Sequence, residues 1–180
     1  ESVIKQITEI DTTWNTLCRQ LKIEPSFIHE NQKGVREFLY QGGAEIISLF
    51  LRDSDEDAEK IRRLCMAEIA GRFYDVKYHK GDLEREISLK VPDEIEEIWK
   101  KNLSMKEGNA QLWEEDRLLP VMQIGELVGR TCLSYRNGRY KECLLSAFDA
   151  NKKVLYFALN GQLVFRAFIR LTKGTLSCLL

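Results

Sequence analysis

The stretch Thr131–Leu171, TCLSYRNGRYKECLLSAFDANKKVLYFALNGQLVFRAFIRL, decides how this chain is read. It holds two Asn-Gly pairs, Asn137-Gly138 and Asn160-Gly161, with the turn-rich run Asp149–Lys153 between them. Asn-Gly flanked by apolar runs is a strong hairpin signal, because both central positions of the favoured tight turn need a left-handed backbone. Four strands joined by three turns follow, which is an antiparallel meander. A two-residue loop at Asn160-Gly161 sets Leu159 opposite Gln162 and Phe157 opposite Val164. One face then carries Val154, Tyr156, Ala158, Leu163, Phe165, Ala167, Ile169 and Leu171. The other carries Leu155, Phe157, Leu159, Val164, Arg166, Phe168 and Arg170. Both faces are largely apolar, so the sheet is expected to be covered on both sides.

Upstream the periodicity changes from two to between three and four. Ile4, Ile7, Trp14, Leu17 and Leu21 form one apolar stripe, as do Ile61, Leu64, Cys65, Ile69 and Phe73. Each predicts an amphipathic helix. A further helix is expected over residues 34–51, with Gly42-Gly43 at a kink, a split or a close backbone approach. Pro92-Asp93-Glu94 opens another, because proline is tolerated in the first helical turn. Residues 104–109 read as a loop and 111–122 as ambiguous. The predicted fold is α+β: a helical N-terminal two-thirds packed against a C-terminal antiparallel meander of about four strands. One compact domain is expected, and the apolar terminus Gly174–Leu180 points to a fragment of a longer chain or to packing against a partner.

The net charge of −1 over 180 residues hides an asymmetry. Residues 1–129 hold 18 Lys+Arg against 26 Asp+Glu, a net −8, and residues 130–180 hold 9 against 2, a net +7. An acidic helical region at 1–129 and a basic β region at 130–180 can attract each other, or the basic part can meet an external anion. The cysteines at 18, 65, 132, 143 and 178 form no ligand pattern with His29 and His79, so no metal or cofactor is expected. Reduced thiols and a cytoplasmic setting are the default, and no apolar run approaches a membrane span.

Candidate functional residues concentrate in the basic region. Arg166 and Arg170 are charges on an otherwise apolar face, and such charges need partners. The acidic helix at 93–97 is one such partner, and a phosphate or carboxylate ligand is another. Phe168, Tyr135, Arg136, Arg139, Tyr140, Lys141, Lys152 and Lys153 interleave rings with cations, a mixture that nucleic-acid-binding sheets use, rings stacking on bases while cations meet phosphates. Nucleic acid is therefore the leading partner, with an acidic protein surface as the alternative. Two enzymatic readings compete. Cys132 is a candidate nucleophile for a hydrolase or transferase, with His29 or His79 as its base. Glu142 and Asp149, with Lys152 for the phosphate, could serve a metal-dependent nuclease. No motif is specific enough to assign a family.

Overall fold

The computed structural model describes residues 2–22, 38, 41–52, 55–79, 81–129, 131–173 and 175–179. Two compact units divide at Phe73 and Tyr74. The change of net charge at residues 129 and 130 falls inside the second unit.

The first unit is helical. Helix α1 spans Ser2–Leu21, α2 Gly43–Leu51 and α3 Asp55–Ile69. Each packs on the other two. Trp14, Leu17, Cys18 and Leu21 bury one face of α1, and Ile46, Ile47 and Phe50 do so for α2. Ile61, Leu64 and Cys65 meet them from α3. The Gly42-Gly43 pair serves two separate needs. Gly42 takes a φ of 98° at the N-terminal cap of α2, where a side chain would be strained. Gly43 lies against the Phe38 ring, which an added Cβ would strike.

In the second unit, short helices precede the sheet: α4 (Phe73–Lys77, beginning at the division), α5 (Asp82–Ile87) and α6 (Asp93–Lys100). Strands β1 (Ser104–Glu107) and β2 (Ala110–Glu115) follow as a hairpin turned by Gly108 at φ 55°. Then come α7 (Leu118–Met122), α8 (Ile124–Leu127) and α9 (Cys143–Ser146). Strands β3 (Lys152–Leu159), β4 (Gln162–Thr172) and β5 (Thr175–Leu179) complete an antiparallel sheet in the order β1-β2-β3-β4-β5. The fold is α+β.

Three features differ from the sequence expectation. Residues 131–151 form no strand; they make a run of turns around α9. Asn137-Gly138 is not a hairpin, and Gly138 is not among the left-handed glycines. Its bare Cα instead lies against the backbone of Cys132 and Ser134, leaving no room for a Cβ. The first two strands come from residues 104–115, which read as a loop and an ambiguous stretch within the helical two-thirds. Asn160-Gly161 does turn the β3–β4 hairpin, with φ of 52° and 77°. Its faces change all the same. Leu159 opposes Gln162 and Ala158 opposes Leu163, but Phe157 opposes Phe165, so Val164 is an extra residue at a bulge. One extra residue exchanges the faces of everything beyond it. Arg166 and Phe168 therefore share a face with Tyr156 and Val154, not with Leu155 and Phe157.

The sheet is covered on both faces in part, with β1 and the tip of the β3–β4 hairpin exposed, and both described covers come from the second unit. On one face Tyr78, Leu83, Val91 and Ala150 form a core with Tyr74, Ile87, Trp99 and Leu171. Here Glu114 is buried against two lysines. Lys153 Nζ donates to it and Lys77 Nζ stands 3.9 Å away. Tyr78 Oη donates to the same carboxylate at 3.1 Å, and Lys153 also donates to the Lys101 carbonyl at 3.0 Å. All three charged residues are 5 % exposed or less. On the other face Tyr156 Oη donates to the Pro120 carbonyl at 2.9 Å, which docks the α7–α9 segment.

The cluster predicts a pH dependence. Burial, the largest cause, lowers the Lys77 pKa from 10.5 to about 8, with Glu114 opposing and Lys153 assisting the fall. Between these values the unfolded chain binds a proton that the folded chain does not, so stability rises with pH from about 8. Tyr74 and Tyr78 have pKa values raised chiefly by burial, so they titrate in the unfolded chain first and stability falls again above about pH 10. Urea midpoints measured from pH 7 to 10 should climb, and Lys77→Met should flatten that climb. Glu114→Gln leaves two buried ammonium groups without a counter-charge and should cost about 3–5 kcal/mol in urea unfolding at pH 7.

Candidate functional site

Between the sheet and the α8–α9 segment lies a cavity of about 400 Å³. Ile124 comes from α8; Thr131, Cys132, Leu133 and Tyr140 come from the turns that follow. Cys143 and Leu144 lie on α9 with Ala147 just beyond it, and Arg166 and Phe168 project from β4. The bulge at Val164 is what aims the two β4 side chains here. The lining is apolar apart from the Thr131 and Tyr140 hydroxyls, the two thiols and one guanidinium.

The turns hold their shape through backbone bonds at close range. Thr131 N donates to the Gly125 carbonyl at 3.2 Å, Gly138 N to Ser134 at 2.7 Å and Tyr140 N to Cys132 at 2.9 Å. Ser134 Oγ donates to the Glu126 carboxylate, and Cys143 N donates to the Tyr140 carbonyl at 3.0 Å. Gly125 lets α8 touch the backbone of Leu133 and Ser134 directly, where any Cβ would collide.

Arg166 is half-buried, and its Nη1 donates to the Val128 carbonyl at 2.9 Å. Among the described residues no carboxylate forms an ion pair with it. The acidic helix α6 does not meet it as expected: Glu96 pairs with Lys100 at 2.6 Å, and Asp93, Glu94 and Glu97 are exposed. The acids that enter the sheet come instead from β2. Glu114 holds Lys77 and Lys153, while Glu115 takes both forks of Arg117 at 2.6 and 2.7 Å. The guanidinium is close enough to Tyr156 to oppose, in part, the rise that burial imposes on its pKa.

The sequence candidates separate into distinct environments. Cys132, Tyr140, Arg166 and Phe168 meet at the cavity. Arg139 lies over the Tyr140 ring at 5.5 Å, and Arg136 over Tyr135 at 5.4 Å. Lys141 is half-buried and Arg170 is exposed on β4, opposite Lys152 and Ser177. Lys153 is consumed by Glu114, and Lys152 pairs with Asp149 at 2.7 Å. Glu142 and Asp149 flank α9 in turns; they do not sit on adjoining strand ends, and Lys152 closes on Asp149. Among the described residues no three His, Cys, Asp or Glu side chains are grouped to hold a metal ion. His79 is exposed in the turn after α4 and is not part of the cavity lining around Cys132. No helix among the described residues is long and apolar enough to cross a membrane.

Cys143 and the buried Lys77–Glu114 pair are the residues that sequence reading missed. The apolar pair Leu144-Leu145 with Phe148 three residues on was the available signal that Cys143 begins a helical turn. Gly125→Ala should damage the cavity most directly, because the obstacle is backbone. Overpacking of this kind costs about 1–3 kcal/mol, and a fall of that size in urea stability is the expected outcome. Comparisons with protein families, curated proteins and solved structures find no match.

Proposed function

We propose that residues 74–180 form a non-catalytic binding module whose cavity takes a small anionic ligand with an apolar body. The observation that carries this reading is Arg166: a half-buried guanidinium in an apolar cavity, without a carboxylate partner among the described residues. A charge withdrawn from water needs a counter-charge, and a guanidinium fork matches carboxylate and phosphate. A volume near 400 Å³ suits a small molecule. The ligand's acid group would meet Arg166, and its chain would lie against Leu144, Ala147 and Phe168. Phe168 serves as a wall for an alkyl or aromatic group.

Nucleic acid is the second reading. It rests on the exposed Arg136, Arg139 and Arg170, two of them stacked on tyrosine rings. It is weakened by the loss of Lys152 and Lys153 to internal partners.

Titration calorimetry with octanoate and with octyl phosphate tests the first reading. Saturable binding of either acid, absent for octanol and weakened about tenfold or more by Arg166→Gln, is the expected result, since a charge-assisted hydrogen bond contributes about 1.5–3 kcal/mol. Equal binding of octanol and octanoate would sink it. If neither acid binds, while a single-stranded oligonucleotide binds with an affinity that falls steeply with salt, the second reading replaces it.

A further inference from the structure

Two thiols share the cavity with Arg166. Cys132 and Cys143 are both exposed and both free, and they reach it from different elements: one from the turns after α8, the other from the start of α9. The thiols of the first unit are placed differently. Cys18 and Cys65 are buried, and burial pushes the Cys18 pKa up to about 11 and raises that of Cys65 as well. Nucleophilic sulfur and a cationic anchor thus line one small apolar space, while two other thiols of the chain are shielded.

We propose that this cavity is a covalent capture site for electrophilic amphiphilic acids, molecules with an acid group, an apolar body and an electron-poor double bond conjugated to a carbonyl. The inference rests on the anionic-ligand reading of the same cavity. Arg166 holds the acid group, and the double bond is delivered to Cys132 or Cys143. The thiol gives its proton to water, and its sulfur lone pair forms an S–C bond at the β-carbon. The π pair of the double bond shifts to the α-carbon, which takes a proton from water. Nothing leaves, and nothing is oxidised or reduced. Cys is suited to this step because a small thiolate fraction is already present at neutral pH and is strongly nucleophilic. The cavity contributes proximity: a held electrophile meets the sulfur at an effective concentration far above its concentration in solution.

The test compares two maleimides on the full chain at pH 7, one with a carboxylate tail (4-maleimidobutyric acid) and one without (N-ethylmaleimide). Labelling is followed by peptide mass spectrometry, and glutathione supplies the intrinsic ratio of the two rates. The expected result is a carboxylate-to-neutral rate ratio at Cys132 or Cys143 at least tenfold above that of glutathione. Excess octanoate should suppress it, and Arg166→Gln should return it to the glutathione value. Octanoate protection needs no substitution, so it stands even where the variant folds poorly. A ratio equal to that of glutathione overturns the capture site. If octanoate nevertheless binds by calorimetry, the binding module survives without capture; if it does not, both fall. Labelling of Cys18 and Cys65 as fast as of Cys132 and Cys143 in the native protein also overturns the proposal.

Discussion

Glu114 is the constraint on which the second unit depends. A single carboxylate, 4 % exposed, is shared by Lys77 from α4, Lys153 from β3 and the Tyr78 hydroxyl. Such a cluster is a poor source of net stability, because desolvating three charges costs as much as their attraction returns. Its value lies in position. Glu114 and Glu115 are neighbours on β2 and point to opposite faces, one toward the lysines and the other toward Arg117. A slip of one residue that set Trp113 in the place of Glu114 would leave two buried ammonium groups unpaired. Against a slip in that direction the register is enforced electrostatically, where an apolar strand could slide at lower cost.

The bulge at Val164 is the second decision, and it sorts the positive charge. Lys153 stays on the Glu114 face and is neutralised there. Arg166, moved across by one extra residue, arrives on the α8–α9 face, where no carboxylate forms an ion pair with it among the described residues. A regular hairpin would have placed both charges on the Glu114 face. The separation leaves Arg166 as the cation of the cavity and keeps the core cluster nearly balanced.

Much of the fold was legible in the sequence, for identifiable reasons. The helical stripe that includes Trp14, Leu17 and Leu21 is local, and local patterns survive translation into structure. Asn160-Gly161 was readable because its left-handed φ angles are a backbone requirement. Asn137-Gly138 misled for a matching reason: glycine answers equally to close approach, and Gly138 is needed against the backbone of Cys132 and Ser134. The β1–β2 hairpin was illegible because Glu114-Glu115-Asp116 resembles a solvated run. Only tertiary partners more than thirty residues away in sequence, Tyr78 and Lys153, reveal that Glu114 is interior. Arg166 and Arg170 were marked together as charges on an apolar face, and Arg170 is exposed while Arg166 is half-buried. The face of Arg166 was not legible, since a bulge leaves no trace in alternation.

What remains is why Arg166 should be where it is. Its bond to the Val128 carbonyl ties β4 to the end of α8, and that alone is a structural use. A neutral donor would make the same tie at far lower desolvation cost. Guanidinium carries five donors, and among the described residues a single carbonyl engages one nitrogen. The surrounding lining is apolar apart from two hydroxyls and two thiols and supplies no charge of opposite sign. A cation kept in such a place, at a size of cavity that fits a small molecule, is what supports the proposed anionic ligand beside the structural use of the Val128 tie.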